Sequence, residues 1–563
     1  MSERAVGRGI WALALLVASA LPARAAAAAP AQEGSLLGRA EEELEAWNIE
    51  GAAAILEQMT AQDPQSPQTL WLRGRVLFEQ GKYAEADQAF GEAEQKGDAN
   101  LGQDRKLARA AADEVRGASV HESAHFILKT KADKDALLAP YLLDALEHAY
   151  AALTKDLGYA PPNKVRVEVY DSAQALARVS PLSVAEIKAS GTIALCKYNR
   201  LMITSPRALL RGYPWLDTVS HEFVHYLVTR KGRGTVPIWL QEGLAKFLET
   251  RWRGEPGLSD DDQSLALLTR AAKTNTLIPF AAMHPSIAKL PTQEKAQLAF
   301  AEVEAAVRLL YLRGGQAALT ELVAAMGNGF TDEQAVAQAY GKSFPQFEAD
   351  WRADVAKPRE AKVPAALLAT GAAKIVRPAA AHRLVFKDDA KRGDDSPAGA
   401  APDVSAEPGS AEAKRAVRLA ELMLARHRFG AAAVEYGRAR RLILPSHLPV
   451  VERRYAFAEI QLGKFPEAEE ALQIATRSDP SDETAQVLLA SVLLERADTA
   501  GAGAALEQAV AEDPFDPALH LAWLKLAKKL NDPKLEAREQ NALALCMGRT
   551  PSEGFQAATK GTP

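Results

Sequence analysis

Residues 216–250 read LDTVSHEFVHYLVTRKGRGTVPIWLQEGLAKFLET, and the reading of this stretch decides the central fold. Val219, Phe223, Val224 and Leu227 recur at helical spacing and form an apolar stripe. His221 and His225 stand four apart, so on a helix they share a face and both imidazoles can reach one metal ion. Glu222 lies beside them, where a carboxylate can take a proton from water at the metal. Asp217, one turn earlier, suits the positive end of a helix. Gly232 and Gly234 mark a loop, and Pro237 precedes a second helix expected to run to about Trp252. Glu242 sits on that helix, 17 positions beyond His225. Two helices joined by a tight loop can set one carboxylate opposite two imidazoles. The fourth tetrahedral position then stays open, as a catalytic rather than structural zinc requires. The candidate metal ligands are His221, His225 and Glu242, with Glu222 the candidate catalytic residue and Zn2+ the cofactor.

The same expression occurs a second time, at His121-Glu122-Ser123-Ala124-His125. This copy runs straight into the strand-like Phe126-Ile127-Leu128-Lys129-Thr130. In an extended chain, residues four apart lie about 13 Å from one another, too far for two rings to share a metal. The expectation here is a coincidence of letters.

Outward from the core stretch, 118–357 has the texture of one domain. Val165-Arg166-Val167-Glu168-Val169-Tyr170 alternates as a strand does. Residues 192–195 and 201–204 suggest a hairpin around Lys197-Tyr198-Asn199. Strands followed by helices indicate an α+β fold. On both sides the texture is all helical. Gly81-Lys82-Tyr83-Ala84-Glu85-Ala86 is echoed by Gly463-Lys464-Phe465-Pro466-Glu467-Ala468, and Pro445, Pro480 and Pro514 are spaced by 35 and 34 residues. Small residues permit close helix crossing, and proline stops each second helix. About two such repeats fit 36–115 and about four fit 411–547. Tyr83, Phe429 and Phe465 are expected to be core packing, and Arg438, Arg440 and Arg441 a solvated face. Residues 358–410 read as a linker, flexible at 388–410 where Asp, Gly, Ser, Pro and Ala dominate.

The flanking blocks resemble the tetratricopeptide family, whose period is about 34 residues. The run from Asp217 through His225, followed by Pro237, Trp239, Leu240, Glu242, Gly243 and Ala245, resembles the peptidase MA-like group of gluzincins. That resemblance implies an α+β zincin-like fold: a mixed sheet before the active-site helix and a helical lobe after it. It implies zinc on His221, His225 and Glu242, with Glu222 as general base and then acid. It also implies a sheet-edge strand that aligns a substrate peptide by backbone pairing, for which Gly191–Cys196 is the candidate. The chain departs from the pattern in three places. Lys246 stands where thermolysin-like relatives carry an aspartate. Ala299-Phe300 replaces an Ala-Tyr pair. No tyrosine or histidine is identified as an oxyanion donor, Tyr198, Tyr213, Tyr226 and Tyr311 being near by sequence only.

The ends and composition bound the rest. Arg4 and Arg8, then the apolar run Ile10–Leu21 and Ala23-Arg24-Ala25, read as a signal peptide over 1–25. The expected location is therefore exported, periplasmic or secreted, with no stable membrane span after cleavage. The formal charge of −5 over 563 residues contains no large single-sign block, so nothing calls for nucleic acid. Cys196 and Cys546, the only cysteines, offer no metal-ligand spacing and read as buried apolar residues. The function expected is an exported zinc metallopeptidase whose repeats recruit a protein substrate or partner. The alternative is a repeat-based scaffold of the cell envelope with an inactive zincin domain. A metal hydrolase acting on another bond would also satisfy the ligand spacing.

Overall fold

The computed structural model describes residues 35–98, 101–209, 212–254, 256–257, 262–287, 290–357, 410–443 and 448–548. The expected signal peptide (1–25) and, apart from Ser410, the expected linker (358–410) lie outside these residues. The described chain forms two compact units. The larger holds 35–208 and 216–357, and the smaller holds 410–548 with a short strap at Leu209 and 212–215.

The larger unit opens with five helices: α1 (Leu36–Glu45), α2 (Ile49–Gln62), α3 (Pro67–Glu79), α4 (Tyr83–Gln95) and α5 (Gly102–Val115). Ser35 and Ser66 cap α1 and α3 by accepting from backbone N–H groups that a helix start leaves unpaired. Gly74 shows why the repeat needs a small residue. A Cβ there would stand 2.5 Å from the Phe90 ring on the paired helix.

A five-stranded mixed sheet follows, ordered β1 (Ser119–Glu122), β2 (Phe126–Thr130), β3 (Val165–Tyr170), β5 (Arg200–Thr204), β4 (Ala194–Lys197). β2, β3 and β5 run parallel, while β1 and β4 pair antiparallel at the two sides. The expected hairpin is β4–β5. The helix α6 (Ala139–Leu157) makes the crossover from β2 to β3, and α7 (Ala173–Val179) and α8 (Val184–Ser190) lead to β4.

Register explains the alternation in β3. Phe126 pairs with Val165 and Leu128 with Val167, so these apolar residues share one face. The other face carries Lys129, Arg166, Glu168 and Arg200. It is not solvated: Tyr83 of α4 donates its hydroxyl to Glu168 Oε1 at 2.6 Å, and Arg166 bonds the Glu79 carbonyl at the end of α3. The N-terminal repeats thus cover the polar face and belong to the same unit as the sheet.

After the sheet come α9 (Trp215–Lys231), α10 (Ile238–Leu248) and α11 (Asp262–Thr274). The lobe closes with α12 (Gln293–Gly327, kinked at Gly315), α13 (Asp332–Tyr340) and α14 (Phe344–Val355). The second helix of the core stretch ends at Leu248 rather than near Trp252. A separate 3-10 turn, Arg251–Arg253, follows it. No described helix is long and apolar enough to cross a membrane.

The smaller unit is four helix pairs: α15 (Ala411–Ala425) with α16 (Phe429–Ile443), α17 (Pro449–Gln461) with α18 (Phe465–Ser478), α19 (Glu483–Glu495) with α20 (Thr499–Glu512), and α21 (Pro517–Leu530) with α22 (Pro533–Cys546). Ala416, Ala420, Ala432, Ala433 and Ala439 line the first crossing, which is why it closes tightly around Tyr436. Pro480 and Pro514 fall just beyond α18 and α20 and prevent both from continuing. Gly212 of the strap rests on α20, where a Cβ would meet the Glu512 carbonyl oxygen at 1.6 Å. The Arg438–Arg441 face is only partly solvated. Arg440 lies 2.6 Å from buried Glu452 and stacks over Tyr455 at 4.4 Å.

Candidate metal centre

The helix α9 is buried through the first four of its five turns, so its polar residues must find partners inside the protein. Phe223 sets its rotation: the ring meets Phe126 of β2 at 5.2 Å and Tyr150 of α6 at 6.1 Å. That contact turns His221 and His225 toward α10. The reversal between the helices uses Gly234 at φ +74°, a conformation that costs glycine little. On α10, Trp239 stacks on Phe280 at 4.3 Å and donates from Nε1 to Asp332 at 3.0 Å. Gly243 lets α12 approach closely, since a Cβ would stand 2.7 Å from the Val303 carbonyl oxygen. Glu242, the neighbouring residue, is thereby fixed in depth.

The structure brings together the three residues expected as ligands. Glu242 Oε2 lies 3.5 Å from His221 Nε2 and 3.6 Å from His225 Nε2. With Glu222, all are at most 3% exposed. These three ligand atoms are buried without a hydrogen-bond partner, a costly arrangement unless something positive joins them. A tetrahedral zinc with arms of about 2.0–2.1 Å needs ligand atoms about 3.4 Å apart, close to the two distances found. Two imidazoles and one carboxylate are also a chemically suitable donor set. Among the described residues, this is the cluster that could hold a metal ion.

Electrostatics separates the members. Burial, reinforced by Glu242, pushes the Glu222 carboxyl up to about 8. For Glu242 burial acts in the same direction, but His225 and His221 outweigh it and draw the carboxyl far down. The two histidines differ because Glu242 and Glu249 both face His221 and raise it against burial, whereas burial prevails at His225.

Two contacts around the site escaped sequence reasoning. Glu249, at the C-terminal end of α10, meets His221 Nδ1 at 3.0 Å and Lys246 Nζ at 2.9 Å. Asp217 is more than a helix-start acid: it accepts from Trp252 Nε1 at 2.9 Å and pairs with Arg253 at 2.8 Å, bracing α9 against the turn after α10. Three of the four tyrosines pack their rings on other aromatic residues, and the fourth falls in the smaller unit. Tyr198 packs on Phe78, Tyr226 on Trp47 and Tyr311 on Phe247, and Tyr213 belongs to the strap of the smaller unit. Cys196 lies on β4, at the side of the sheet where the candidate strand Gly191–Cys196 was expected, and its backbone N–H faces Glu222. The other His-Glu-x-x-His run covers the end of β1 and the turn that leads into β2. There His125 bonds Glu147 at 2.6 Å and stacks on Tyr150 at 3.6 Å.

The family model described as Peptidase MA superfamily matches residues 145–357, and a tetratricopeptide repeat model matches 37–100 and 458–517. No curated protein matches the chain. The centre of this chain is a Peptidase MA superfamily domain, with tetratricopeptide repeats on both sides of it.

Proposed function

We propose that the protein is an exported zinc-dependent metallopeptidase. The observation that carries the proposal is the trio of buried ligand atoms on His221, His225 and Glu242, which lack a hydrogen bond and set Glu242 at 3.5 and 3.6 Å from the two imidazoles. When bound, zinc would supply Lewis acidity toward a carbonyl oxygen and toward water. Among the described residues, Glu222 is the acid beside the ligands whose oxygens bond no other side chain. With the positive charge of the metal beside it, its carboxyl would be held ionised against burial, so that it accepts the proton of the attacking water and returns it to the leaving amine. β4, the candidate strand for backbone pairing with an extended peptide, lies at the side of the sheet and adjacent to Glu222, with Ala194, Leu195 and Cys196 buried in this structure. Export rests on the sequence of 1–25. Recruitment of a protein substrate or partner falls to the C-terminal repeats, because the N-terminal ones are engaged with the sheet.

The test is Glu222→Gln. A peptide library should be cleaved by the wild type and at least roughly 100-fold more slowly by the variant, with zinc retained in both. Equal cleavage by the two proteins would remove Glu222 from the chemistry.

A further inference from the structure

Position 246 is one turn beyond Glu242 on the face of α10 that turns toward α9, yet it holds a lysine. Position 249 lies on that same face, seven residues beyond Glu242, and it holds a carboxylate. Glu249 is buried at 4% exposure at the C-terminal end of the helix, where the macrodipole disfavours negative charge. One of its oxygens is 3.0 Å from His221 Nδ1 and the other 2.9 Å from Lys246 Nζ.

We propose that Glu249, clamped by Lys246, is the positioning residue that orients His221 and sets the affinity of the centre for its metal. The inference rests on the metallopeptidase reading and extends it to residues outside the ligand set. A carboxylate on Nδ1 fixes that nitrogen as the protonated one, so the Nε2 lone pair points toward Glu242 Oε2. Lys246 takes the place an orienting acid would occupy and instead neutralises the acid one turn further on. This divides the task between two residues, so each should be separately measurable.

The experiment is zinc affinity of the full chain, read by competition with a chromophoric chelator, for wild type, E249A, E249Q and K246M. Circular dichroism checks the fold of each, and cobalt substitution reports ligand geometry through its visible spectrum. E249A should bind zinc about 10–100-fold more weakly with an altered cobalt spectrum. E249Q, the same shape and still an acceptor, should recover part of the loss. K246M should fall between E249Q and wild type. If E249A does not fold, the isosteric E249Q and K246M carry the test. Wild-type affinity and an unchanged cobalt spectrum in both would overturn the proposal. A wild type that binds zinc beside unaffected variants refutes the role of Glu249 alone. A wild type that binds no zinc refutes the metallopeptidase reading and this inference with it.

Discussion

Gly243 of α10 lies so close to α12 that a Cβ would sit 2.7 Å from the Val303 carbonyl oxygen and 2.8 Å from a Val307 methyl. This contact, next in sequence to Glu242, sets how far the carboxylate reaches toward the two imidazoles. Gly243→Ala should therefore cost roughly 1–3 kcal/mol by overpacking. It should also weaken zinc binding by displacing Glu242. Chemical denaturation and chelator competition measure the two effects, and a stable variant with unchanged zinc affinity would contradict this account of the site.

The N-terminal repeats are expected to behave as part of the larger unit. Glu168 is buried at 1% exposure and takes hydrogen bonds from Tyr83 and Tyr170, each at 2.6 Å, with Arg200 at 3.4 Å. The repeat therefore supplies one of several partners to this buried charge. Tyr83→Phe removes one donor and should destabilise the unit by roughly 1–3 kcal/mol. An unchanged urea midpoint would mean that the repeats dock weakly.

Much of this arrangement was legible in the sequence, for a physical reason in each case. His221 and His225 read as helix because an apolar stripe surrounds them, and the run from His121 to His125 reads as non-helical because β-formers follow it. Glu242 was found because its spacing after His225 leaves room for a loop and a helical turn. Glu249 was missed. Its role depends on how two helices pack, and it lies past a lysine at the expected position. Tyr83 was read as repeat packing, which its burial against Phe78 supports, but its hydroxyl reaches a residue 85 positions away. Local periodicity carries no information about such a pairing. The same limit hid the clamp of Asp217 on Trp252 and Arg253.

The C-terminal repeats should lose stability as the pH rises. His520 is fully buried, with Nδ1 2.7 Å from Glu539 and Nε2 2.8 Å from the Pro514 carbonyl. Both neighbours can only accept, so both ring nitrogens carry hydrogen and the imidazole is charged. Burial opposes this charge, but hydrogen bonds to Cys546 and Glu539 raise the group to about 9. A histidine raised in the folded state stabilises fully below its ordinary value near 6.5, and that stability is lost as the pH approaches 9. The loss is at most about 3 kcal/mol. Glu483, pushed up to about 9 by burial with Asp516 beside it, slopes the same way, so the comparison must be made against a variant. Between pH 6.5 and 9 the thermal midpoint should fall more steeply in wild type than in His520→Gln. Parallel slopes would contradict the charged assignment.

The most direct test of the central claim is metal content. Elemental analysis of the purified wild type beside His221→Ala should find about one zinc per chain in the first and none in the second. A wild type that stays metal-free after incubation with zinc would contradict the account, whatever activity the preparation shows.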